Sequence, residues 1–149
     1  MKPSVRGFTL LELLIVMAIL GITLTLFLWG LNGQLQKSRL QNAVTLFSSD
    51  LQRARSTAWR AGQTTTVKLL DGGDGYTFKQ GAAAEATFIF PDGVIATVVP
   101  ATTAARSVTY TAPFADNVSA VGSTFTLSIL NTTVKDTVHV FGVTGKVVR

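Results

Sequence analysis

The chain has no cysteine. That excludes disulfides, thiolate metal sites and a thiol nucleophile. It has a single histidine, His139, which leaves imidazole chemistry without a second ring to share a metal. Charge is scarce, at 14% of residues, and from Leu13 to Gln36 no residue is charged at all. No proline lies between Phe8 and Ala61, so nothing in that span has to kink a helix. No run of five like charges occurs, and neither a Ser-His-Asp set, a phosphate-cradling glycine loop nor a paired-carboxylate motif stands out. The chain reads as non-enzymatic, with no cofactor and no metal. Removing Lys2 and Arg6 would take two from the formal net charge of +5, leaving +3. That basic bias is too small for a nucleic-acid signature by itself.

What is present begins at the N-terminus. A short basic leader, ending Arg6-Gly7, abuts an apolar run from Phe8 to Gln36 whose one ionisable side chain is Glu12. The uncharged stretch Leu13–Gln36 spans about 36 Å as a helix, enough for a hydrocarbon core of about 30 Å. Insertion into hydrocarbon costs a carboxylate about 2.5–3.5 kcal/mol, so Glu12 calls for a partner. Cutting after Gly7 would supply one, a cationic amine on Phe8. An ordinary secretory signal would instead be cut after the apolar core at a small-x-small site. The Gly-Leu-Asn-Gly there is a poor one. Gly21, Gly30 and Gly33 in the run would allow close approach of neighbouring helices. Lys2 and Arg6 before the segment nearly balance Lys37 and Arg39 after it, so the charge count does not orient it.

Beyond the apolar run, Leu40, Val44, Phe47, Leu51, Ala54 and Ala58 form one stripe of a 3.6-residue helix. Asp50 falls off that stripe in this reading, free to meet Arg53 on the surface. Ala61-Gly62 predicts the helix stop. The periodicity then switches to two. Strands are expected at 65–70, 76–80, 86–90, 94–98, 107–111, 124–130, 133–141 and 143–148, with turns at 71–75, 91–93, 131–132 and 144–145. Asp71 and Asp74 suit a turn better than a calcium loop, which needs six to eight oxygen ligands. His139 reads as structural. The expected fold is α+β: a long N-terminal helix, membrane-spanning in its first half, packed on an antiparallel β-sheet domain. The expected divisions are a leader at 1–7, a transmembrane and assembly helix at 8–36, its amphipathic continuation at 37–62, and the β domain at 63–149.

The string Gly7-Phe8-Thr9-Leu10-Leu11-Glu12 resembles the class III signal of the type IV pilins and of the pseudopilins of type II secretion. Two further segments resemble the GspH/FimT branch of minor subunits. One is Asp50-Leu51-Gln52-Arg53-Ala54-Arg55-Ser56-Thr57-Ala58. The other is the tail from His139 to Arg149, where Lys146 stands in place of the usual Arg. The resemblance implies cleavage between Gly7 and Phe8 by prepilin peptidase and N-methylation of Phe8. Glu12 would act in assembly, paired with the Phe8 amine of a neighbouring subunit. The implied partners are other pilin or pseudopilin subunits in a helical filament, an inner-membrane assembly platform, and membrane lipid before assembly. The implied location is the bacterial inner membrane, with the C-terminal domain outside the cytoplasm, and then a periplasmic or extracellular filament. Some FimT-type minor pilins use basic residues near this tail to bind DNA in natural transformation, so the resemblance also implies, as an alternative, a DNA-binding minor pilin at a pilus tip. The alternative reading is therefore DNA contact through Lys146 and Arg149, with Lys135 and Arg106 nearby. The small charge count favours a solvated edge instead.

Overall fold

The computed structural model describes residues 8–117, 122–130 and 132–149. The leader, with Gly7, lies outside the described residues. Helix α1 spans Leu10–Ala61 and is followed by nine strands: β1 Thr65–Leu69, β2 Gly75–Gln80, β3 Ala86–Ile89, β4 Val94–Val99, β5 Ser107–Thr111, β6 Asp116–Asn117, β7 Ser123–Ile129, β8 Lys135–Val140 and β9 Val147–Val148. The chain divides into two units at Gln36 and Lys37.

In the first unit α1 is apolar on all sides. Its most apolar window has a mean hydropathy of 2.5, and none of that window is buried within the chain. It is long and apolar enough to cross a membrane. Its hydroxyls do not contradict this. Thr23 Oγ1 donates to the carbonyl of Ile19 at 2.9 Å, and Thr25 Oγ1 donates to that of Gly21 at 2.9 Å. Both hydroxyls are thus satisfied within the helix, as hydrocarbon requires.

In the second unit the same helix becomes one-sided. Leu40, Val44, Phe47, Leu51, Ala54 and Ala58 are all buried, as their spacing predicts, and Ala43 joins them. The helix stops at Ala61, where Gly62 takes the left-handed conformation at φ 62° that ends helices readily without a Cβ.

The strands form two antiparallel sheets. One has the order β3-β2-β1-β5-β6 and the other β4-β7-β8-β9. The alternation in β7 buries Phe125, Leu127 and Ile129 and leaves Thr124, Thr126 and Ser128 half-buried on the other face. Phe47 binds the two sheets to the helix. Its ring meets Tyr76 of the first sheet at 5.0 Å and Phe125 of the second at 5.2 Å, both edge-on. A backbone bond from the Ala96 N–H to the Gly73 carbonyl, 2.7 Å, joins the turn after β1 to β4 of the second sheet.

Two strand expectations change. The strand expected at 143–148 survives only as Val147–Val148, because the chain turns at 141–145: Gly145 N–H donates to the carbonyls of Phe141 (2.8 Å) and Gly142 (3.0 Å). The short β6, paired with β5 through Tyr110 opposite Asn117, carries no run long enough to show a period.

Asp50 is a further correction. It is not on the surface with Arg53; it is 8% exposed and accepts a 2.6 Å hydrogen bond from the Tyr76 hydroxyl. The reason is its angular position: it follows Phe47 by three residues and precedes Ala54 by four, which places it on the buried stripe. Arg53 instead lies over the Phe78 ring, 5.9 Å from its centroid.

Candidate functional site

Three groups of residues carry the chemistry of this chain: the head of α1, a buried polar pair in the second unit, and the C-terminal tail.

At the head, Thr9 begins the helix. Its hydroxyl accepts from the Glu12 N–H at 3.3 Å, and its carbonyl accepts from the Leu13 N–H at 3.2 Å. Thr9 is therefore the N-cap, and Glu12 sits in the first turn, where a negative charge faces the positive end of the helix dipole. The Thr-x-x-Glu spacing would let the Thr9 N–H donate to the Glu12 carboxylate in return, but that bond is not made. Among the described residues the Glu12 carboxylate has no hydrogen bond and no ion pair. Phe8 is exposed beside it. The head thus offers a carboxylate without a mate among the described residues. Gly21 and Gly33 are similarly open: a Cβ built on either would meet nothing of this chain within 4 Å. Neither glycine is required by packing inside the chain.

In the second unit, burial raises the Tyr76 hydroxyl well above its ordinary acidity range. The hydrogen bond to Asp50 and the Asp50 charge push it the same way. Burial also raises Tyr110, opposed by the positive charge of Arg55. Both phenols therefore stay neutral. Tyr110 donates to the Gly145 carbonyl at 3.2 Å, which fastens the tail turn to β5. Gly145 has φ 57°, and a Cβ there would collide with the Tyr110 ring. Only glycine fits that contact.

The tail cations separate. Arg149 pairs with Asp136 through Nη2 at 3.0 Å and Nε at 3.2 Å, and its Nη1 donates to Thr45 Oγ1 at 3.1 Å. It is a strut between β8, α1 and the chain end. Arg106 pairs with Asp71 at 3.0 Å. That pair also places Asp71 in an ordinary exposed ion pair on the turn it was expected to form. Among the described residues Lys146 makes no ion pair, and its side chain is exposed. His139 is exposed on β8, with Nδ1 3.0 Å from Thr124 Oγ1. No group of three metal-ligating side chains occurs among the described residues. Sequence periodicity had no means of finding the Asp50–Tyr76 bond, since it joins positions far apart in the chain.

The model of the prokaryotic N-terminal methylation motif matches residues 2–28. No curated protein matches the chain. Among solved structures it is similar to the type IV minor pilin FimU of Pseudomonas aeruginosa PAO1. Against one crystal form of FimU the identity is 19% and the TM-score 0.60, over 74% of this chain and 87% of that one. Against a second crystal form the identity is 20% and the TM-score 0.56, over 72% and 90%. At that identity the likeness concerns the fold. The chain thus carries the prokaryotic N-terminal methylation motif at the head of a long apolar helix, and its helix-on-sheets fold is similar to that of the type IV minor pilin FimU.

Proposed function

We propose that the protein is a structural minor subunit of a type IV pilus or a type II secretion pseudopilus. In this reading prepilin peptidase cuts between Gly7 and Phe8, and Phe8 is N-methylated. The mature chain waits in the inner membrane with its domain outside the cytoplasm. It then exchanges lipid for the helices of neighbouring subunits. Glu12 pairs with the Phe8 amine of an adjoining copy or a related subunit and sets the register. A minor subunit would start or cap the filament rather than form its bulk.

The observation that carries this reading is the Glu12 carboxylate, which stands inside the methylation motif with no partner among the described residues. A charge in that position has to be matched from outside, because an unpaired carboxylate in hydrocarbon costs about 2.5–3.5 kcal/mol. A buried ion pair adds little net stability but penalises the wrong register strongly. The open Gly21 and Gly33 support the same reading, as sites where another helix can approach closely.

The test is the mature N-terminus. Intact-mass and N-terminal peptide analysis of protein from cells that contain the peptidase is expected to give Phe8, one methyl group heavier. A chain that enters filaments with Met1 still in place would defeat the proposal.

A further inference from the structure

A groove of about 670 Å³ opens on the second unit, between the outer side of α1 and two turns of the sheet domain. Its helical wall is made by Gln52, Arg55, Ser56 and Trp59, whose spacing puts them on one face beside the buried stripe. The opposite wall brings Phe114 and Lys146 from segments far away in sequence. Two aromatic rings stand in it largely bare: Trp59 is 67% exposed and Phe114 77%. Both rings line the same groove, beside polar and charged side chains, and an exposed apolar patch rimmed in this way marks an interaction site.

Both turns are built to hold these residues in place. Phe114 precedes Ala115, a buried residue with φ 57° and the one non-glycine residue found with positive φ among those described. A left-handed alanine is a strained conformation, held by the structure around it. Lys146 follows Gly145, which the Tyr110 ring and hydroxyl fix. The two cations of the groove, Arg55 and Lys146, have no carboxylate partner among the described residues. The next cation along the tail, Arg149, is already neutralised by Asp136.

We infer that this groove is a docking site for a short acidic segment of another protein, with an aromatic or large aliphatic side chain as anchor between Trp59 and Phe114 and its flanking carboxylates on Arg55 and Lys146. Charge complementarity selects the sign of the occupant, and the exposed rings select its apolar anchor. The volume suits a few side chains. Gln52 and Ser56 offer polar contacts to a peptide backbone. A nucleic-acid strand is a poorer match, because its affinity grows with the number of phosphates neutralised and only two unpaired cations line the groove. The inference stands apart from the filament reading, since every residue in it lies between 52 and 147.

The test uses the full chain in lipid nanodiscs, with empty nanodiscs as control. The probe is a fluorescein-labelled, end-blocked peptide of alternating glutamate and phenylalanine, followed by anisotropy. The peptide is expected to bind, more weakly at higher salt. Lys146→Glu and Trp59→Ala, both at exposed positions, should each weaken it by at least about tenfold. Lys68→Glu, on an exposed position outside the groove, should not. Replacing phenylalanine by alanine in the peptide should weaken it similarly, and replacing glutamate by lysine should abolish binding. The inference is overturned by absence of binding, by equal binding of the lysine peptide, or by insensitivity to both groove variants. It is also overturned if a short oligothymidylate binds more tightly than the peptide and loses affinity with the same variants, which would assign the groove to nucleic acid.

Discussion

The two halves of α1 share one secondary structure and differ in everything else. From Leu10 to Phe27 every residue is exposed, and the side chains are apolar around the whole circumference. From Leu40 to Ala58 one stripe of apolar residues, recurring every three or four positions, is buried, while Leu46 off the stripe is exposed. Helical geometry is common to both; the arrangement of apolar side chains decides what each half can pack against. An all-round apolar helix has no face to turn towards water and belongs in lipid or among other helices. A striped helix can complete a single domain. Exposure of Ile19 and burial of Phe47 are thus two outcomes of the same hydrophobic effect, separated by patterning.

The sharpest way to break this contrast is at Phe47. Phe47→Ala removes the ring that meets Tyr76, Phe90 and Phe125, and should cost about 3–5 kcal/mol of domain stability in urea denaturation. Ile19→Ala, at an exposed site of the same helix, should leave that denaturation midpoint unchanged. Equal losses from both would mean that the halves fold as one cooperative body.

The head of the helix is the next place to press. Glu12→Gln removes a charge whose unpaired cost in hydrocarbon is about 2.5–3.5 kcal/mol, so membrane insertion should be undiminished. Recovery of the variant in sheared filaments should fall severely. Normal recovery would detach Glu12 from assembly.

A smaller effect sharpens the picture of the second half. Tyr76→Phe leaves Asp50 buried without its donor and should cost about 1–3 kcal/mol. The pH dependence follows from the raised phenols. An unfolded tyrosine loses its proton near the ordinary value of 10.0, whereas Tyr76 and Tyr110 hold theirs to higher pH when folded. Above that ordinary value the unfolded state binds fewer protons, so the stability contributed by keeping these phenols neutral falls as pH rises. Thermal melts should therefore show the domain losing stability on the alkaline side of pH 10. Tyr76→Phe should flatten that loss, and an unchanged alkaline slope in the variant would remove Tyr76 as its source.

Much of this was legible along the chain. The stripe from Leu40 to Ala58, the stop at Gly62, the alternation of Phe125, Leu127 and Ile129 and the solitary charge at Glu12 are local patterns, with periods set by backbone geometry. Asp50 escaped because a polar residue in an apolar stripe looks like an interruption until its partner, Tyr76, is brought up from another element. The end of the chain escaped for a related reason. Val143 to Val148 carries strand-forming residues, yet the close contact between Gly145 and Tyr110 bends most of it into a turn.

By itself the amino-acid order determined that one helix would be apolar all round in its first half and striped in its second, that strands would follow, and that a single carboxylate would sit at the apolar head. These depend on neighbours a few residues apart, and local stereochemistry is enough to decide them. Tertiary structure alone decided the division of the strands into two sheets around Phe47, the pairing of Asp50 with Tyr76, the engagement of Arg149 by Asp136, and the meeting of Trp59, Phe114 and Lys146 along one groove. Those contacts join residues tens of positions apart, and only the closing of the core brings them together.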